Sequence, residues 1–576
     1  MIKSSISWMC LVSLAFSFDV NFSLETKYGD GKAVKEQAGT EEEYNFIENI
    51  LDINSTFDNG LFVSTQLEYS DPPIFGIPVN GLNNFVVDYM RDNYSVKLGN
   101  LYSLYARGLS LNMTQNQNID YDNSVTGIEF KYTLNDLNLF GVWGTSEFNY
   151  RSNPASIETD LRLDNNIFFI GSEYYHDKIG MLQYSLLYEE SKIGIDHINK
   201  YYSENSDIGK ELSDRFPDGI NESVNSDILK TIDHNLAWNY QFLRADFYIE
   251  KVWNTYTKIL GDTESGSKLY LSLYFDIAGT GITYEYKNYD QKYHIPTLSG
   301  QPIGFREGNS TLASRNSHTI NWGDEVGHQI ELNRSIGAFQ WMGNLSFAYK
   351  HAIDGHESVS FPQILRMEKD DDIYHQYPFR QLYSEISGYT LNDKLYFKLG
   401  VDKFDEFKGY NNPESVTAFT FPSMLTYDLG GGNSITSYIE RQKRVQEKID
   451  KDMIISENVD FINNYFSFTF NYLNYLSVSF FYDDEITNKS VWSPPNYPEE
   501  LCLDDGWNWN GSLCSNIEDE KFNEWVGYDI SYKINSTSQL SLFYGSQKGG
   551  LVCANGVCAE QPGFDDGIKV TLRTIF

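Results

Sequence analysis

Alternation with a period of two dominates this chain. Phe466, Phe468, Phe470 and Tyr472 alternate with Ser467, Thr469 and Asn471; after a break at Asn474, Leu476, Val478, Phe480 and Tyr482 alternate with Ser477, Ser479 and Asp483. Such a run predicts a β-strand with one apolar face and one small or polar face. The pattern recurs at Ile128, Phe130, Tyr132 and Leu134, at Leu269, Leu271, Leu273 and Phe275, at Leu395, Phe397, Leu399 and Val401, and at Val526, Tyr528, Ile530 and Tyr532. A soluble sandwich also alternates, but repetition over the whole length favours a closed, membrane-spanning barrel.

The breaks between strands carry the topology. Very short turns are predicted near 58–60, 92–93, 135–136, 177–179, 242–243, 279–281, 335–337, 392–393, 429–432, 474 and 535–537. Longer polar connections fall at 148–164, 194–229, 291–314, 351–378, 488–523 and 548–563. Short periplasmic turns alternating with long extracellular loops are the pattern of outer-membrane barrels. The count is about five strands before residue 122 and about nineteen after it, giving about 24 (range about 22–26), with both termini periplasmic. Residues 103–121 read equally as an inward loop or as a further strand.

The two ends refine this. Lys3, an apolar stretch from Ile6 to Phe16, and the small residues Ala15 and Ser17 read as a signal peptide over 1–17, cleaved before Phe18. Downstream there is no run of about 18 apolar residues, so no transmembrane helix is predicted. The remaining way to satisfy every backbone polar group in lipid is a closed barrel over 18–576. At the other end Ile568, Val570, Leu572 and Phe576 share one face, opposite Lys569, Thr571 and Arg573. This resembles the C-terminal signal of outer-membrane proteins, read by the barrel-assembly machinery, although Thr574 stands where a larger residue is usual.

Composition agrees with this fold class, all-β. Aromatic residues make up 15% of 576 residues, with 42 Tyr, yet the mean hydropathy is −0.43. Only alternate strand residues touch lipid, and rings form belts at both interfaces. The net charge of −36 argues against a nucleic-acid partner. Acidic loops are solvated, or they bind Ca²⁺ through carboxylate oxygens; no EF-hand spacing is present, and no other cofactor is implied.

Candidate chemistry is sparse. No G-x-S-x-G, H-E-x-x-H or phosphate-loop motif occurs, so no catalytic residue is assigned and an enzyme is not expected. Gly430, Gly431 and Gly432 read as a periplasmic turn. Weak metal-ligand candidates gather in one loop: His351, Asp354, His356, Asp370, Asp371 and Asp372, with Glu357 and His375 nearby. Of five cysteines, Cys10 leaves with the signal. The other four suit an oxidising compartment, with Cys502–Cys514 and Cys553–Cys558 preferred and cross-pairing the alternative. Spacings of 12 and 5 do not match the paired knuckles of a zinc site.

Two stretches carry a family likeness. One runs Tyr94-Ser95-Val96-Lys97-Leu98-Gly99-Asn100-Leu101-Tyr102, then Arg107-Gly108-Leu109-Ser110-Leu111, then Asp122-Asn123-Ser124 with Gly127. The other runs Lys548-Gly549-Gly550-Leu551-Val552-Cys553 to Val557-Cys558. Both resemble uncharacterised outer-membrane β-barrel proteins of Bacteroidota and related bacteria. The resemblance implies a large barrel and brings no catalytic residue. In the first stretch Arg107 is expected either to pair with an acidic lumen residue or to face solvent from an ordinary turn. Strand texture starting near Phe18 leaves no room for the plug of a TonB-dependent receptor. The functional expectation is a channel or passive transporter of small solutes; the alternative is a scaffold for a periplasmic or surface partner.

Overall fold

A computed structural model describes residues 18–35, 40–74, 78–116, 121–150, 161–193, 227–257, 263–291, 310–316, 318, 323–352, 358–367, 376–408, 414–449, 455–492, 499–504, 507–509, 514–518, 520–554, 557–561 and 563–576. The signal-peptide reading of 1–17 lies outside them.

The strands are β1 (Phe18–Lys35), β2 (Thr40–Phe57), β3 (Leu61–Ser70), β4 (Val79–Met90), β5 (Tyr94–Leu101), β6 (Val125–Leu134), β7 (Leu137–Tyr150) and β8 (Leu161–His176). They continue with β9 (Gly180–Ile193), β10 (Asp227–Phe242), β11 (Ala245–Thr257), β12 (Thr263–Ile277), β13 (Thr280–Asp290), β14 (Asp324–Ile336), β15 (Phe339–Tyr349) and β16 (Phe379–Thr390). The last are β17 (Leu395–Lys408), β18 (Glu414–Gly430), β19 (Asn433–Ile449), β20 (Ile455–Tyr472), β21 (Leu476–Trp492), β22 (Lys521–Lys533), β23 (Ser538–Gln547) and β24 (Phe564–Ile575). Each pairs antiparallel with its chain neighbours, and β1 pairs with β24 through Glu25↔Arg573 and Tyr28↔Val570. The result is a closed antiparallel barrel of 24 strands. The sheet holds 26 strands in all, because Asn508–Trp509 and Cys514–Ile517 add a small extension above β21.

Closure is tightest where the chain ends. Phe22 and Phe576 exchange backbone hydrogen bonds of 2.8 and 2.9 Å, and their rings stack at 5.6 Å. Short turns lie at one end of the barrel, as the sequence predicts to within a residue or two. Ala278 and Gly279 take φ of 53° and 76°, the left-handed pair that matches strand twist in a two-residue hairpin. Gly430, Gly431 and Gly432 turn β18 into β19 with φ of 82°, 64° and 82°.

The burial pattern is inside-out. On β10, Thr231, Asp233, Asn235 and Ala237 are buried on the inner face, while Ile232, Leu236 and Trp238 are 37–39% exposed on the outer one. The same inversion places Trp143, Phe168, Phe421, Ile439 and Tyr528 outward and exposed. Soluble proteins rarely display contiguous apolar surface beyond a few hundred Å²; here it encircles the barrel. Tyr94, Phe242, Tyr427, Tyr472 and Tyr532 form an aromatic girdle near the short turns. Outward positions turn polar about nine residues up each strand, at His234, Asn288, His328, Lys403, Arg441 and Asn464. Nine residues tilted by about 40° rise roughly 23 Å, close to the apolar band of a membrane barrel.

Several strands outlast the predicted alternation, so the long loops are shorter than expected. β7 and β8 run into 148–164, β10 starts at Asp227, and β21 extends to Trp492. The 548–563 connection contains a hairpin, Gly550–Ala554 with Val557–Gln561, and the 351–378 connection contains a single helical turn, Phe361–Arg366. That turn lies on the outer wall above the apolar band. Ile364 and Val359 cover Phe347, Phe407 and Ile449, which point outward.

Candidate functional site

The lumen is narrowed by segments that enter it from the long-loop end. Between β5 and β6 the chain does not form another strand; it folds inward. Leu109, Leu111 and Met113 are too apolar to sit in water, and all are 0–1% exposed. Leu111, Met113 and Tyr105 pack on Phe140 and Val142 of β7, Ile167 and Phe169 of β8 and Leu187 of β9. Leu109 packs further round the wall, with Ala237, Tyr248, Val252, Tyr270 and Tyr289. Ala106 and Gly108, at φ of 53° and 84°, make the tight bend between these contacts.

Two wall carboxylates anchor the segment. Glu129 of β6 accepts from Ser103 at 2.9 Å and from the Tyr105 hydroxyl, and Lys131 reaches it at 2.8 Å. Burial first, then the Glu129 charge, pushes the Tyr105 hydroxyl well above its ordinary pKa. Glu250 of β11 accepts the backbone N–H of Arg107 at 3.0 Å and of Leu109 at 3.3 Å, with Tyr248 and Asn235 donating at 2.7 and 2.9 Å. Lys268 of β12 donates to the Leu109 carbonyl at 2.5 Å. Among the described residues, the Arg107 side chain does not pair with an acid. The backbone of Arg107 is paired with an acid, while its guanidinium lies over Tyr248 at 4.5 Å, donates to Tyr270 at 2.9 Å and stays exposed to the lumen.

A second intrusion comes from the β13–β14 connection. Thr311–Ser314 form one helical turn whose Thr311 and Leu312 N–H groups donate to Glu440 of β19 at 2.7 and 2.6 Å. Gln442 donates to the Leu312 carbonyl at 3.0 Å. Arg315 grips Asp483 of β21 with both guanidinium arms, the closer at 2.5 Å, a fork geometry that orients as well as binds. From a third connection Lys548 reaches Glu485, next on the same inner face, at 2.6 Å and lies over Trp525. His318 bridges two strands: Nδ1 meets Glu406 of β17 at 2.6 Å and Nε2 meets Glu325 of β14 at 3.3 Å. Lys287 and Lys408 continue this chain of charge on either side. Burial disfavours the charged His318 ring, but Glu325 and Glu406 together outweigh it and raise its pKa.

Towards the short turns the inner wall is open and acidic. Met90, Tyr274 and Tyr389 point inward yet are 59%, 43% and 54% exposed. Some carboxylates here are held by neutral amides, Asp52 by Gln66 at 2.7 Å, Glu173 by Asn138 at 3.0 Å and Glu331 by Asn333 at 2.7 Å, while others meet cations, Glu25 with Arg573 at 2.7 Å and Glu385 with Lys398 at 2.8 Å. An amide orients a carboxylate without cancelling its charge. Across the lumen Thr426, Thr436, Thr469 and Ser479 present a hydroxyl surface.

The residues singled out in the sequence fare differently. Ile568, Val570 and Leu572 face outward and Lys569, Thr571 and Arg573 inward, with Arg573 on Glu25 at 2.7 Å. Cys502 and Cys514 form a disulfide at the base of the extension above β21. Cys553 and Cys558 stand opposite one another in their hairpin register. Of the metal candidates, Asp354, His356, Asp370, Asp371 and Asp372 lie outside the described residues, and His351 contacts Asp324 at 2.5 Å. Among the described residues no three ligand-type side chains converge on a metal position. The anchors Glu129, Glu250, Glu440 and Asp483 escaped the sequence reading; their one signal is a carboxylate on the inward parity of an apolar strand.

No protein-family model matches the chain, and no curated protein matches it by sequence. Solved structures similar to it are outer-membrane barrels. A BenF-like porin from Pseudomonas fluorescens is 10% identical, over 75% of this chain and 98% of that one, with a TM-score of 0.37. The siderophore receptor PirA from Acinetobacter baumannii is 9% identical, over 97% and 81%, with a TM-score of 0.44. The FrpB iron transporter from Neisseria meningitidis is 7% identical, over 97% and 81%, with a TM-score of 0.43.

Proposed function

We propose that this barrel sits in a bacterial outer membrane and passes small polar solutes, cations in preference to anions. Its short turns and termini face the periplasm and its long loops face outward. One observation carries the reading: an acid-rich, hydroxyl-lined inner wall open at the short-turn mouth and narrowed from the other end by segments anchored to that wall. Fixed carboxylates along a narrow path attract cations and repel anions. The test is reconstitution of the refolded chain in planar bilayers, paired with swelling of proteoliposomes in small and large sugars. Stepwise conductance and entry of the smaller sugars only are expected; inserted, heat-modifiable protein that gives neither removes the reading.

A scaffolding role has one observation in its favour. The disulfide-closed extension above β21 exposes Leu503 and Ile517 at 58% and 68%, beside Phe522 of β22 at 54%. A stoichiometric partner recovered from native membranes, lost when Ile517 and Phe522 become Ser, would shift the balance to that role.

A further inference from the structure

The outer wall carries a group of cations that the lumen does not use. On β17 the outward residues run Leu395, Phe397, Leu399, Val401 and then Lys403; on β19 they run Ile435, Ser437, Ile439 and then Arg441 and Lys443. Their outward direction is fixed by their neighbours, since Glu440 and Gln442 point inward and bind the Thr311–Ser314 turn. Register places Phe419 of β18 between Lys403 and Lys443, and Phe421 beside Arg441. Strands lie about 4.8 Å apart, so the two lysines straddle Phe419 with backbones about 10 Å apart.

Three observations converge on this patch. The first is its height: the cations begin where the apolar band ends, with Phe419, Phe421 and Ile439 still 39%, 50% and 50% exposed beside them. The second is the lack of compensation. In a chain with 80 acidic residues, Arg441 and Lys443 are exposed and have no carboxylate within 4.0 Å among the described residues. Lys403 is 3.8 Å from Asp405, which Arg380 and Thr417 already hold. By contrast, the outward Lys230 of β10 is paired with Glu190 at 3.5 Å. The third is shape: Phe407 and Ile449 lie higher on the same strands and are roofed by Val359 and Ile364. The cations therefore occupy a bay between the lipid below and a folded segment above.

We infer that Lys403, Arg441 and Lys443 form a docking site for a phosphate-bearing lipid headgroup of the leaflet at the long-loop end. Acyl chains lie along Phe419, Phe421 and Ile439, and the phosphate meets the three cations. Arginine suits phosphate because its fork donates two parallel hydrogen bonds, and cations at this depth attract anionic headgroups. The site is independent of whether the lumen conducts.

The experiment is native mass spectrometry of the full chain released from detergent micelles doped with diphosphorylated lipid A, phosphatidylglycerol or phosphatidylcholine. Adducts with one or both phosphate-bearing anionic lipids, and few with the zwitterionic one, are expected; the two anionic arms say which headgroup is preferred. R441Q/K443Q should reduce the anionic adducts roughly 30-fold, since each cation near a headgroup contributes a factor of about five. K230Q should leave them unchanged. All three proteins should keep the same heat-modifiable migration, because the substituted side chains are exposed. Equal adducts for all lipids, or anionic adducts that survive R441Q/K443Q or fall equally in K230Q, would overturn the inference.

Discussion

Glu250→Ala removes the anchor that holds the inward segment to β11. The carboxylate accepts two backbone N–H groups of that segment, from Arg107 and from fully buried Leu109. Each buried donor left unpaired costs about 1–3 kcal/mol, so the segment loses roughly 2–6 kcal/mol of docking free energy. Leu109, Leu111 and Met113 still bury their side chains, at about 1.5–3 kcal/mol each. The segment therefore stays docked on average but opens more often. At the lower bound, about 2 kcal/mol corresponds to a roughly 30-fold larger open population. Hydrogen exchange followed by mass spectrometry on peptides covering 103–113 reads this directly, with β18–β21 peptides as the internal reference. Glu250→Gln keeps one acceptor oxygen and should show a smaller change. Unaltered protection over 103–113 in Glu250→Ala, or an equal loss in the reference strands, would refute the anchoring role.

Other consequences follow from the same geometry. The raised pKa of His318 stabilises its segment fully below the ordinary histidine value of about 6.5, and that stability is lost as pH rises through the elevated value; protection factors over 310–316, corrected for the intrinsic base-catalysed rate, should fall with alkaline pH in the native protein and lose that dependence in His318→Gln. Cys502→Ser opens a loop of sequence separation 12, worth about 3 kcal/mol locally, so limited proteolysis should cut near 499–518 while the barrel stays intact. A second disulfide, Cys553–Cys558, is expected from the hairpin register, and peptide mapping without reduction should find both. Phe576→Ala loses the stack on Phe22, about 1 kcal/mol, and should lower the guanidinium midpoint of the refolded barrel.

The barrel was legible because its physics repeats. Strands state their lipid face by alternation, and most short turns state themselves by Asn, Asp or Gly (Leu243-Arg244 is an exception), so strand number, parity and the outward placement of Ile568, Val570 and Leu572 could be read from the chain. Strand ends were not legible, because above the lipid the outer face has no need to be apolar; β19 continues through Arg441 and Lys443 with no change of structure. Residues 103–121 stayed open between strand and inward loop because Leu109, Leu111 and Met113 alternate as a strand would, while the Ala106–Gly108 bend shows only in the backbone. The anchors were hidden for a different reason. Glu250 meets Arg107 across 143 positions and Asp483 meets Arg315 across 168, and no local pattern encodes which distant wall an inward segment will reach.

The proposed water-filled path carries a negative fixed charge. Its most direct measurement is the reversal potential of the reconstituted chain under a tenfold potassium chloride gradient. Current steps are expected whose zero-current voltage takes the sign set by potassium, shifting towards zero when Glu173 and Glu331 are replaced together by their amides. A reversal potential of the chloride sign, or one that ignores the double replacement, would contradict it.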